Sequence, residues 1–370
     1  MLTIRCTKKL LDELKQKPCD IAEEKPFFSW YANLLTLHRR KAVLLINECA
    51  RYPILIYGLK AANFKQLDKI ITDSVRTVFL AQGISPDIAQ KYMAQSESIA
   101  YAKTSNRSVI AAMNQVAQML SYYDTDEFDL ENLVQTDVSL RLSEGITKID
   151  GDYKEPKEVL LDAMAQFAQG KNDEAVKSVI SVPAYQFLIT LGLESHEVWR
   201  KVIVPANITF RKLHYVIQDA FGWLSYHLYE FDILSGDKPV AQIVCDEEGM
   251  EYAECPSSMD NQTKLVKYLP KHKQIGYVYD MGDDWIHYIE LEKVIDDYDK
   301  NYPTCVDGKG DCPPEDVGGE GGYEEFLEAI GDPKNPEHEN MFEWGESQQY
   351  RKFDIKDVNR RLKWSLGRRR

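Results

Sequence analysis

Between Tyr277 and Tyr323 the chain alternates short apolar runs with dense turn residues, and this stretch limits its folding more than any other. It reads Tyr-Val-Tyr-Asp-Met-Gly-Asp-Asp-Trp-Ile-His and, after a gap, Cys-Val-Asp-Gly-Lys-Gly-Asp-Cys-Pro-Pro-Glu-Asp-Val-Gly-Gly-Glu-Gly-Gly-Tyr. Glycine and proline at this density fix turns, and polar side chains held on fixed turns are the usual material of sites. Strands are expected over 275–281 and 285–294, joined as a hairpin across Gly282-Asp283-Asp284. Strand alternation then puts Trp285, His287, Ile289 and Leu291 on one face.

The flanking sequence predicts an α+β protein of two domains, since 370 residues exceed one typical core. In the first half, strands are expected at Leu2–Cys6, Ala42–Ile46, Pro53–Tyr57 and Val138–Leu142. Helices are expected over 7–17 and 64–79, from Pro86, over 106–122, and from Pro156 to a stop at Gly170. A linker over 171–182 follows. In the second half, strands at 185–191 and 198–204 lead to a helix capped by Thr209 and ended by Gly222. Strands at 227–234 and 239–245 come next, with helices after the hairpin at 323–330, 336–344 and 355–366. The expected division is an α+β domain over 1–125, an acidic, helical connector over 126–182, and a β-grasp-like mixed roll with helices packed on its sheet over 183–370.

Charge narrows the partners. From Asp280 to Glu343 there are 20 acidic residues against four lysines, a net of −16, whereas the whole chain carries −14. Such a segment repels a phosphate backbone unless metal ions intervene, and attracts a protein or a basic peptide. Nucleic acid remains open for the mildly basic first 60 residues and for the basic ending Arg360-Arg361-Leu362-Lys363 to Arg368-Arg369-Arg370. That ending also suits the acidic segment of another copy, so a homo-oligomer stays open. No apolar run reaches the roughly 18 residues that span a bilayer. The first residues show no apolar leader, and seven scattered cysteines argue against a disulfide framework. A cytoplasmic protein is expected.

Several constellations could carry chemistry. His287 is either a ligand or general base reaching a cleft, or a buried histidine bonded to a carboxylate such as Asp280. Cys305 and Cys312 have six residues between them, unlike a zinc knuckle, but with His287 and Asp316 they could form a mixed tetrahedral zinc site. Asp280, Asp283, Glu315 and Asp316 are oxygen donors suited to Mg2+, and with His287 they are the catalytic candidates for metal-assisted phosphodiester chemistry. Trp223, His227, Tyr279, Trp285 and Tyr323 are the candidates for an aromatic binding groove beside the acidic loop. The glycines 318–319 and 321–322 precede a helix, but no Lys or Arg accompanies them, which favours a tight turn over a phosphate cradle.

From Tyr185 onward the chain resembles the plasmid pRiA4b ORF-3-like family, over about residues 183–365. The resemblance rests on Val198-Trp199-Arg200 with Val204-Pro205, on Ala220-Phe221-Gly222-Trp223 with His227, and on Tyr279 to His287. Cys312 to Gly319, Gly322-Tyr323, Asp332-Pro333 and His338 complete it. Met281 stands where an aromatic is usual, and Val317 where a cysteine is frequent. Residues 1–125 resemble a separate uncharacterised bacterial domain through Ile4 to Leu10 and Asn106 to Val109. The resemblance implies an α+β roll in a bacterial mobile-element or defence setting, and no established activity. The expected function is a non-enzymatic binding or adaptor role, with a metal-dependent phosphodiesterase or nuclease, or a DNA-associated accessory protein, as alternatives.

Overall fold

The computed structural model describes residues 1–367 apart from positions 22, 24, 96–97, 170–177 and 254. The expected stop at Gly170, most of the expected linker and the terminal Arg368–Arg370 lie outside the described residues. The chain divides into two compact units, Met1–Ser181 and Val182–Arg370, and both are α+β.

The first unit runs β1 (Leu2–Cys6), α1 (Lys8–Leu14), β2 (Ser29–Leu37), β3 (Arg40–Asn47), β4 (Pro53–Leu59), α2 (Ala61–Phe64), α3 (Leu67–Ala81), α4 (Pro86–Ala94), β5 (Ile99–Lys103), α5 (Arg107–Leu120), α6 (Thr136–Ser143), β6 (Thr147–Ile149), β7 (Asp152–Lys154) and α7 (Pro156–Gln169). Its main sheet has the order β4-β3-β2-β1-β5, with β1 parallel to both neighbours. Both faces are covered, which is why Val43 to Ile46 reads as an unbroken apolar run. Val43 and Leu45 face a core with α3, α4 and α7, while Leu44 and Ile46 face Val109 of α5 and Val138 of α6.

Two expectations change here. Val138–Leu142 is not a strand but part of α6, because Val138 and Leu142 recur at four and are buried together. Residues 136–169 are not a connector, since Leu160 and Met164 of α7 belong to the first unit's core. Strand β2 had no counterpart among the expected elements.

The second unit runs β8 (Val182–Leu191), β9 (Val198–Pro205), α8 (Phe210–Phe221), β10 (Tyr229–Ser235), β11 (Lys238–Val244), α9 (Glu247–Tyr252), β12 (Ser257–Met259), β13 (Gln274–Tyr279), β14 (Trp285–Tyr298), β15 (Thr304–Lys309), α10 (Gly319–Gly331), α11 (His338–Ser347) and α12 (Ile355–Ser365). The eight strands form one sheet in the order β12-β11-β10-β13-β14-β8-β9-β15. Thr209 accepts from the Lys212 amide at 3.3 Å and Gly222 ends α8 in a left-handed turn, as the sequence predicts. Nearly every α8 side chain is buried, so this helix is the unit's central element.

Residues 304–309, expected as loop, form edge strand β15 against β9. The buried Arg200 holds it there. Its Nε donates to Ala220 O at 3.1 Å, its Nη1 to Lys309 O at 2.8 Å, and its Nη2 to Gly310 O at 3.0 Å. The guanidinium lies 4.1 Å from the Phe353 ring centroid. Gly310 (φ 79°) cannot be replaced, because a Cβ there would sit 2.3 Å from Glu197 O. Arg200→Ala strips donors from four carbonyls, of Trp199, Ala220, Lys309 and Gly310, the last two at the end of β15, and should cost about 3 kcal/mol or more in denaturant unfolding. Arg200→Lys should recover little, because an ammonium cannot reproduce the fork; a loss below about 1 kcal/mol for either would show that the arginine is not the fastener.

Candidate functional site

Three loops of the second unit meet at one end of the sheet: the α8–β10 loop over 222–228, the β13–β14 hairpin over 280–284, and the segment over 310–318 before α10. Their meeting is fixed by a buried carboxylate. Glu315 is 2% exposed, accepts the phenolic proton of Tyr279, and accepts the Leu224 amide at 2.6 Å. The Tyr279 oxygen in turn accepts the Tyr226 amide at 3.0 Å. Trp223 adds a bond from Nε1 to Pro313 O at 2.9 Å, and Leu228 O accepts the Asp280 amide at 3.0 Å. Burial, and then the hydrogen bond to Glu315, push the Tyr279 phenol far above its ordinary range, so it stays a donor.

The first loop is braced from beneath by α8. His214 is 1% exposed and stacks on Tyr229 at 3.6 Å between centroids. Its Nδ1 lies 2.7 Å from the Tyr277 oxygen and its Nε2 lies 2.6 Å from Ser225 Oγ. Gln218 Nε2 donates to the same phenol at 3.1 Å, so the imidazole bridges a hydrogen-bonded chain from Gln218 and Tyr277 to Ser225. Ser225 is thereby held at φ 64°, a left-handed conformation that a serine seldom adopts unaided.

These braces place His227. Its Nε2 lies 2.9 Å from Asp316 Oδ1 and 3.5 Å from Asp280 Oδ2. The ligand atoms of His227, Asp280 and Asp316 all fall within 4.8 Å of one another, the one such group found among the described residues. Asp280 (φ 59°) and Asp316 (φ 60°) both stand in the left-handed region, which aspartate tolerates better than most residues. Asp280 uses Oδ1 to accept the Gly282 amide at 3.0 Å, leaving Oδ2 toward the imidazole. Asp283 is close by but serves the loop, accepting the Gly318 amide at 3.1 Å. Gly322 allows the turn beneath, since a Cβ there would meet Val317 O at 1.8 Å.

Other expected site residues fall elsewhere. His287 is fully buried, donates from Nδ1 to Trp285 O at 3.0 Å, and is walled by Phe221, Trp223 and Tyr277. It therefore reaches no cleft, and its hydrogen bond goes to that carbonyl rather than to Asp280. Cys305 and Cys312 join no three-ligand group with His287 and Asp316 among the described residues. Both are buried; Cys305 donates to Asp307 O at 3.2 Å, and burial pushes its thiol up to about 11, so it stays protonated and a poor metal ligand. Trp223, Tyr279, Trp285 and Tyr323 are buried, with Trp223 stacked on Tyr279, so they form core and not a groove. Of the expected binding set only His227 is half-exposed. Nothing in the spacing singled out His214 or Ser225; a histidine inside the apolar run of α8 was the available signal.

A family model described as "Plasmid pRiA4b ORF-3-like protein" matches residues 183–362, which contain all three loops. The uncharacterized protein y4hQ of Sinorhizobium fredii is 36% identical over 163 residues, covering 44% of this chain and 80% of that protein. The chain belongs to the pRiA4b ORF-3-like family. The match covers the second unit, while residues 3–159 match a separate domain of unknown function, DUF6933. A crystal structure of a protein of unknown function from Methanosarcina mazei Go1 is 32% identical, covering 48% of this chain and 97% of that one, with a TM-score of 0.41. Among the described residues no helix is long and apolar enough to cross a membrane.

Burial holds His287 down to about 3, against an ordinary value of 6.5. Between those values the unfolded chain binds more protons than the folded one, so this stability is complete above the ordinary value and falls as pH drops toward about 3. The stability of wild type minus that of His287→Phe should fall by about 1.4 kcal/mol per pH unit across that window. A flat difference in denaturant titrations would mean that the imidazole is not buried in its neutral form.

Proposed function

We propose that the second unit is a divalent-cation-binding module and that His227, Asp280 and Asp316 are its protein ligands. The observation that supports this is the convergence of one imidazole nitrogen and two carboxylates from three separately braced loops. Their spacings of 2.9 and 3.5 Å about Nε2 suit donors sharing one ion. The net charge of −16 over 280–343 concentrates cations at that end. An imidazole donor favours Zn2+ or Mn2+ over Mg2+, which prefers oxygen ligands alone.

Three protein ligands leave coordination positions open, the arrangement of zinc sites that take water or a ligand rather than of closed structural ones. The module would use those positions to hold an oxygen-bearing group of a partner, in the plasmid or mobile-element setting that the family name suggests. The open positions also support a second reading, metal-assisted phosphodiester hydrolysis, in which the ion would supply a Lewis acid and an activated water.

Calorimetric titration of metal-free protein with Zn2+ and Mn2+ tests the binding reading. One ion per chain is expected, with at least about tenfold weaker binding in Asp280→Asn and in His227→Ala. Ser225→Ala should weaken it less, because it loosens the loop without removing a ligand. No uptake, or uptake that ignores these substitutions, contradicts the proposal. Cleavage of a model phosphodiester by the loaded protein, lost in Asp280→Asn, would favour the hydrolytic reading.

A further inference from the structure

Helices α11 and α12 each turn one face inward and leave an exposed outward stripe; among the described residues, the ring and ion-pair contacts of these stripes stay within their own helices: Phe342 with His338, Lys363 with Trp364 and Arg360 with Asp357. The inward side of α11 is seated by Trp344 against Phe326, with ring centroids 5.7 Å apart. Its outward side carries Glu339, Phe342, Glu343 and Glu346, all exposed, with Phe342 at 52%. Helix α12 buries Val358, Leu362 and Ser365, and Arg361 Nε donates to Asp219 O at 2.9 Å. Its outward side carries Lys356, Arg360, Lys363 and Trp364, all exposed, with Trp364 at 59%.

The two stripes match in charge, spacing and length. Glu339, Glu343 and Glu346 are separated by four and then three residues, as are Lys356, Arg360 and Lys363. Helices of 10 and 11 residues are about 15 and about 16 Å long at 1.5 Å per residue. Among the described residues Glu339, Glu343, Glu346, Lys356 and Lys363 form no ion pair; Arg360 pairs with Asp357 on its own helix. Each stripe also carries one large exposed aromatic, which a docked helix would remove from water.

We propose that this chain self-associates, the acidic stripe of α11 in one copy lying on the basic stripe of α12 in a second. Two-fold symmetry forms the contact twice, since each copy offers both stripes. A second copy is favoured over nucleic acid as the occupant of α12. A phosphate backbone approaching this unit also meets the −16 segment, whereas another copy brings the complement of both stripes. The inference stands apart from the metal site, as none of these residues touches it.

Sedimentation velocity on the full chain tests it. A dimer is expected at low salt, dissociating toward monomer in about 0.5 M salt, where screening shortens to a few ångströms. Lys356→Glu with Lys363→Glu should give a monomer, and so should Glu343→Lys with Glu346→Lys. Mixing the two variants should restore a dimer, because each reversed stripe then faces its complement, and that recovery also shows both variants folded. A wild-type monomer at low salt overturns the proposal, as does a dimer indifferent to both reversals. A monomer that binds duplex DNA through Lys356 and Lys363 also overturns it, in favour of a nucleic-acid surface.

Discussion

One buried carboxylate organises the functional end of the second unit. Glu315 lies two residues after the Pro313 carbonyl that Trp223 grips, and its two oxygens take one donor from β13 and one from the α8–β10 loop. Removing it would leave the Tyr279 phenolic proton and the Leu224 amide without their acceptors, at a cost of about 1–3 kcal/mol each. More than stability depends on it. Asp316 follows directly in sequence, Asp280 directly follows Tyr279, and His227 lies three residues after Leu224 in the same loop. The clamp sets the positions of all three proposed ligands, and Tyr279 also meets His227 directly, accepting its amide at 3.5 Å and packing edge-on against its ring.

This division of labour explains why aromatic residues dominate the neighbourhood without forming a binding surface. Trp223 and Tyr279 carry polar tips that reach Pro313 O and Glu315, so their rings can be buried at no polar cost. His287 fills the space behind them as a neutral ring. Beneath the loop, His214 and Tyr277 pass a chain of hydrogen bonds from Gln218 to Ser225. The chemistry-bearing side chains are short and sit on turns; the large ones hold those turns still.

Much of the fold was legible because its signals are local. The Thr209 cap, the Gly222 stop and the Gly282-Asp283-Asp284 hairpin each follow from a few adjacent residues, and the structure contains all three. Val138–Leu142 was misread because five residues are too few to separate a period of two from one of four. Edge strand β15 was missed because its pairing depends on Arg200, about a hundred residues earlier. The site was legible only in part: Asp280 and Asp316 stood out as acids on turns, whereas His227 stood among aromatic candidates that proved to be core. Spacing could not reveal that His287 points inward and His227 outward, since that depends on how three distant loops meet.

The account stands on those loops presenting a single ion with one nitrogen and two oxygens. Anomalous diffraction from crystals grown with Zn2+ or Mn2+ addresses this most directly. It should give one strong peak about 2.0–2.2 Å from His227 Nε2 and from an oxygen of each of Asp280 and Asp316. A peak beside Cys305 and Cys312 instead, or none at the three loops, would contradict it.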